Sequence, residues 1–190
     1  MNAPNEKLDH AYQNAQGWAG SIAAMVAALE CDYDRLEELR DERADLEVAV
    51  GEADATVAGE LEEAETALRE WAEENDDELK ELTDAATLEG DRQENAEAVR
   101  ERIQESPLSV EVRDGWRTPG ADKGTAEEFC ILLSTGGPAL RIMGELDEHA
   151  QPTRAWLEYQ DWGTPWTEYH GEGCEHETLL TFCQQFYFGD

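Results

Sequence analysis

Ten carboxylates in two short runs are the residues whose type and spacing could do chemistry: Glu37, Glu38, Asp41, Glu42 and Asp45, then Glu73, Glu74, Asp76, Asp77 and Glu78. Spacings of three and four residues stack side chains on one face of a helix, where like charges repel and destabilise it. Interleaved lysines would relieve that repulsion, yet few are supplied. A destabilising arrangement that persists suggests a use, and rows of fixed negative charge suit phosphate mimicry against a basic surface. Solubility is the plainer explanation of most charge runs, and adaptation to high salt is another. The preference for Glu over Asp, 31 to 15, favours helix formation over hydration.

Other reactive side chains are less promising. His170, Cys174, His176 and Cys183 fall near one another, but their intervals are not the paired short spacings of a zinc site. Trp156, Tyr159, Trp162, Trp166 and Tyr169 could stack on bases, but stacking platforms pair aromatics with a positive groove. Only Arg113, Arg117, Lys123, Arg141 and Arg154 accompany them, against 15 acids. Cross-strand aromatic pairing in a small sheet explains them better. No phosphate-cradling glycine loop, nucleophile elbow or zinc-protease helix occurs. The chain reads as a non-enzyme with no cofactor and no metal.

The whole-chain charge points the same way. There are 46 acidic and 14 basic residues in 190, a formal net charge of −32. Residues 1–105 hold 31 acids and nine bases, net −22. Such a field repels nucleic acid and anionic membranes and steers cationic partners inward. The expected partner is a basic nucleic-acid-binding protein, with no direct contact to nucleic acid. No run approaches the roughly 18 apolar residues of a membrane span, and Met1 to Asp9 lacks the features of a signal peptide. A cytoplasmic protein with reduced cysteines is expected.

Elements must hold these charges in place. Leu8, Ala15, Ile22, Leu29 and Leu36 recur every seven residues, which predicts one long amphipathic helix reaching Gly51. At about 43 residues it would be roughly 65 Å long, and the 22 net charges of residues 1–105 spread along a hairpin of that length give one per roughly 3 Å. Duplex DNA carries one per about 1.7 Å. A second helix from Val57 ends near Gly90, with the 73–78 run as a candidate break, and Asp91 with Glu94 has capping-box spacing for a third. After Pro107 the period becomes two: Val110 and Val112; Phe129, Ile131 and Leu133; Leu140, Ile142 and Leu146; Ala155, Leu157 and Tyr159; then a short strand from Trp166 to Tyr169. The connections are too short for parallel crossovers, so the sheet is an antiparallel meander, closed by a helix over Glu177 to Phe188. The fold class is α+β, with an acidic helical arm over 1–106 and an α+β domain over 107–190. The heptad stripe exceeds what the other helices can cover, so a homodimer through Leu8, Ala15, Ile22, Leu29 and Leu36 is expected.

Three phrases carry a resemblance: MVAALECDYDRLEELRDER over Met25 to Arg43, TGGPALRIMGELD over Thr135 to Asp147, and WLEYQDWGTPW over Trp156 to Trp166. They resemble a family of small acidic proteins encoded by bacterial phages, prophages and conjugative elements. The resemblance implies no activity of its own and transfers no site residues. Such elements commonly carry small acidic inhibitors of host defence, including anti-CRISPR and antirestriction proteins that resemble DNA in charge. That setting makes a stoichiometric inhibitor of a host defence complex, such as a CRISPR effector, the leading expectation. A coiled-coil adaptor or assembly protein, charged only for solubility, is the alternative.

Overall fold

A computed structural model describes residues 4–54, 56–57, 59–116, 118–119 and 124–189, with side chains from residue 10 onward. Five helices and seven strands follow in order: α1 (Pro4–Leu29), α2 (Tyr33–Glu52), α3 (Glu60–Ala85), β1 (Thr87–Leu88), β2 (Asp91–Arg92), α4 (Ala96–Glu105), β3 (Ser109–Asp114), β4 (Ala126–Ser134), β5 (Ala139–Leu146), β6 (Pro152–Gln160), β7 (Thr167–Glu168) and α5 (His176–Cys183). The fold is α+β. Strands β3 to β7 form an antiparallel meander in sequence order, as the alternating pattern predicts.

Two compact units emerge: Met1–Val26 with Val99–Asp190, and Ala27–Ala98. This differs from a division at residue 106. The first helical segment belongs with the sheet, because its small apolar face (Ala11, Ala15, Ala19, Ile22) is buried there. Tyr12 packs edge-on to Tyr159 at 6.0 Å and lies 5.2 Å from Tyr169. The sheet contributes Phe129, Ile131, Leu133, Leu140, Ile142, Ala155 and Leu157 from one face, with Leu179 and Phe182 of α5.

The expected seam for self-association is therefore spent inside the chain. Ala15 and Ile22 are 0% exposed in the sheet-bearing unit, and Leu36 is 0% exposed in the helical one. Leu29 is half-buried, and Leu8 lies outside the residues whose side chains are described. A heptad pattern reports only that a stripe needs covering. It does not say whether a second copy or a distant part of the same chain covers it.

The long first helix is also interrupted. Glu30 to Asp32 leave the helical path, and Asp32 starts α2 by accepting a hydrogen bond from Arg35 N at 3.0 Å. An acidic side chain favours such a start because it satisfies an orphan N–H and complements the helix dipole. Conversely, the 73–78 run does not break α3, which continues to Ala85. Residues Thr87 to Arg92 form a two-residue hairpin with Glu89 and Gly90 both at positive φ, the backbone that matches strand twist. The cap of α4 is Asn95, whose Oδ1 accepts from Ala98 N at 3.0 Å, rather than the Asp91 and Glu94 pair.

The five aromatics divide between the sheet faces instead of pairing across strands. Tyr159 and Tyr169 lie on the helix side. Trp156 donates to Glu158 on the other side, and Arg141 lies 4.0 Å over the Trp166 ring. Trp162 is 73% exposed and donates from Nε1 to Gly136 O at 2.7 Å, covering the turn before Pro138.

Two glycines give a contrasting test of packing. Gly144 has no room for a Cβ, which would run into the Phe129 ring and the Arg154 carbonyl, whereas Gly17 on α1 has open space. Gly144→Ala is expected to destabilise the protein severely. Gly17→Ala should stabilise it by about 0.5–1 kcal/mol through helix propensity. Urea unfolding of both variants checks the two signs.

Candidate functional site

Acidity is more concentrated than the sequence halves indicate. The unit Ala27–Ala98 holds 27 acidic and six basic residues, net −21 of the chain's −32. Within it, α2 and α3 pack as an antiparallel hairpin around Leu36, Leu39, Leu79 and Ala86, with Cys31, Tyr33, Trp71 and Leu82 against them. Leucines at 36 and 39 form one side because positions three apart share a helix face. The opposite faces are left to charge.

The hairpin brings the two carboxylate runs together. Residues 37–45 lie on α2 and 73–78 on α3, and all ten side chains predicted as a partner surface, Glu37, Glu38, Asp41, Glu42, Asp45, Glu73, Glu74, Asp76, Asp77 and Glu78, are exposed. Cross-links show the register. Arg35 donates to Glu78 Oε1 at 3.2 Å and Oε2 at 3.0 Å, and to Glu38 at 2.8 Å. Arg43 spans Glu47 at 2.9 Å and Asp76 at 3.2 Å. Trp71 Nε1 donates to Glu42 at 2.9 Å.

The ten therefore divide by role. Glu38, Glu42, Asp76 and Glu78 hold the hairpin together through those bonds. Glu37, Asp41, Asp45, Glu73, Glu74 and Asp77 make no hydrogen bond or ion pair among the described residues. Their carboxylates are exposed on the hairpin surface. The hydrogen bonds from Arg35 hold the Glu78 carboxyl below its ordinary range, and the bonds from Glu78 and Glu38 raise the Arg35 guanidinium in turn. Thr56 does the same for Asp54 in the connecting turn, donating from N and Oγ1 at 2.8 and 2.7 Å.

The interruption at residue 30 alters the charge density. Helices of 20 and 26 residues are about 30 and 39 Å long at about 1.5 Å per residue. Residues 33–85 carry 21 acids and five bases. Sixteen net charges over about 40 Å give one per about 2.5 Å, closer to the about 1.7 Å of duplex DNA than a 65 Å arm would be.

Elsewhere the chemistry is structural. His170, Cys174 and His176 line one cavity of about 400 Å³ with Glu168 and Glu175, but no group of three or more His, Cys, Asp or Glu could hold a metal among the described residues. The Cys174 thiol donates to Gly171 O at 2.8 Å, and burial raises its pKa. Burial likewise pushes the Cys183 thiol far up within the core of α5. On the open sheet face Arg141 pairs with Glu158 at 2.7 Å and Arg154 with Glu145 at 3.2 Å, while Arg113 pairs with Glu128. These arginines already have carboxylate partners within the sheet. Among the described residues no helix is long and apolar enough to cross a membrane.

Comparison of the chain with known protein families, with curated proteins and with solved structures finds no match.

The Arg35 linkage has a pH signature. Because the folded-state pKa of Glu78 is depressed, its stabilising contribution is complete above the ordinary value of 4.5 and is lost as pH falls through the lower folded value. Glu78→Gln should therefore lower the urea midpoint at pH 7, and the gap from wild type should narrow as pH falls below 4.5.

Proposed function

We propose that the protein is a stoichiometric inhibitor of a basic nucleic-acid-binding complex of a bacterial host, of the anti-CRISPR type, encoded by a phage or another mobile element. The α2–α3 hairpin would occupy the channel that holds DNA or RNA, its carboxylates standing in for phosphates against Lys and Arg. The observation that carries this reading is the convergence of both acidic runs on one narrow hairpin at near-nucleic-acid charge spacing. The resemblance of residues 25–43, 135–147 and 156–166 to acidic proteins of mobile elements supports the setting, which would place the protein in the bacterial cytoplasm. The adaptor alternative needs a free apolar stripe, and the burial of Ala15, Ile22 and Leu36 removes that support.

Electrostatic capture of this kind has three consequences. Inhibitor and nucleic acid should exclude each other on the target, here a CRISPR effector ribonucleoprotein with labelled duplex DNA. Binding should weaken steeply with salt, as the screening length shortens from about 8 Å at physiological ionic strength to about 3 Å at 1 M. Replacing Glu37, Asp41, Asp45, Glu73, Glu74 and Asp77 together by their amides should leave the circular dichroism unchanged. At about 0.5 kcal/mol per contact, six contacts amount to about 3 kcal/mol, a loss of affinity on the order of 100-fold. Fluorescence anisotropy of the labelled DNA measures all three. A ternary complex retaining the DNA, or undiminished inhibition by the amide variant, contradicts the reading.

A further inference from the structure

Strand β3 has the sequence SVEVRD and lies at one edge of the five-stranded sheet, with β4 as its neighbour on one side and no strand on the other among the described residues. The residue before it, Leu108, donates its N–H to Leu132 O at 2.7 Å. That Leu132 carbonyl faces β3, so the backbone groups of Leu132, Cys130 and Glu128 bond to β3, and their register partners Ser109, Glu111 and Arg113 point to β4 while Val110 and Val112 direct theirs outward. Val110 and Val112 lie on the helix-bearing face but are 39% and 44% exposed. An open edge with exposed apolar side chains is a template for another strand.

We infer that β3 pairs with β3 of a second copy of this chain across a twofold axis, joining the two sheets into one of ten strands. The charges on the strand choose both the partner and the register. With Val112 opposite Val112 of the second copy, each Glu111 faces the other copy's Arg113. Backbone polarity permits this register, because Val112 directs its N–H and C=O outward and can exchange both bonds with Val112 of the second copy. Sliding by one step puts Glu111 against Glu111, and the slide in the other direction puts Arg113 against Arg113. Only the Val112-centred register opposes unlike charges. Arg113 already pairs with Glu128, and its guanidinium has donors enough to bridge Glu111 of the second copy as well. The apolar row from both copies then meets on the helix side.

This interface is distinct from the heptad seam, and it rests on β3 alone, separate from the role of the hairpin. Two strands about 20 Å long bury little area, so association is weak and depends on concentration. Its salt dependence has the opposite sign to capture of a basic partner. Two bodies of net charge −32 repel at long range, and added salt relieves that repulsion while backbone pairing and apolar contact persist.

Sedimentation equilibrium at concentrations up to about 500 µM, in about 0.15 M and about 1 M salt, tests the pairing. Wild type should shift from monomer toward dimer with concentration, more so at the higher salt. Val112→Pro removes one outward N–H without touching the β4 ladder and should yield a monomer with unchanged circular dichroism. Glu111→Arg and Arg113→Glu should each lower the association constant about tenfold by opposing like charges twice across the axis, and the double variant should recover it. A wild type that stays monomeric in both salts overturns the inference, as does a dimer indifferent to these substitutions. Should the proline variant unfold, the charge-reversal pair decides alone: recovery in the double variant supports the pairing, and its failure overturns it.

Discussion

Uncompensated negative charge is the constraint on which the rest of this structure depends. Fifteen net charges are held on two packed helices whose buried core among the described residues is Leu36, Leu39, Leu79 and Ala86. Repulsion works against the pairing of α2 with α3, and a core of that size offsets only part of it. Arg35 and Arg43 meet the problem where it is worst, each bridging a carboxylate on its own helix to one on the other. Trp71 adds apolar area against the leucines and a donor to Glu42. These two arginines are thus placed at the seam, and the faces away from it remain predominantly anionic.

That placement links stability to the surface field. A surface of freely interspersed lysines would be more stable and would present no field. Here the basic residues are few and committed, so the hairpin carries a directional potential at modest cost in order. The same economy appears in the sheet-bearing unit, where Arg113, Arg141 and Arg154 are matched by Glu128, Glu158 and Glu145. Arg141 and Arg154 also lie over Trp166 and Trp156. Tryptophans that could have stacked on bases instead cover internal ion pairs.

The small-residue face of α1 shows how one pattern serves a different end. Alanines at 11, 15 and 19 keep the buried face of the helix thin, and a Cβ at Gly173 would come within 2.7 Å of the Ala19 carbonyl. A heptad of this composition would make a thin coiled coil, since alanine buries little area. Against a sheet already supplied with Phe129, Ile142 and Leu157, thinness is an advantage.

Local chemistry fixed what the sequence could show by itself. Period-two alternation from Val110 to Tyr159 and turn residues between the runs specified an antiparallel meander, because short connections allow nothing else. Helical periods and the count of Asp and Glu fixed which segments are helices and which face carries charge. The break at Glu30 to Asp32 was written only in Asp32, whose role as a cap is indistinguishable from its neighbours' in so acidic a run. Tertiary structure decided the rest. It assigned α1 to the sheet, since the cover for Ala15 and Ile22 comes from strands more than a hundred residues later. It set residues 37–45 beside 73–78, because the registry of α2 and α3 depends on which leucines interlock. It also divided the ten carboxylates into those that hold the hairpin and those that face outward, a distinction made by the reach of two arginines and one indole across a gap that sequence order does not contain.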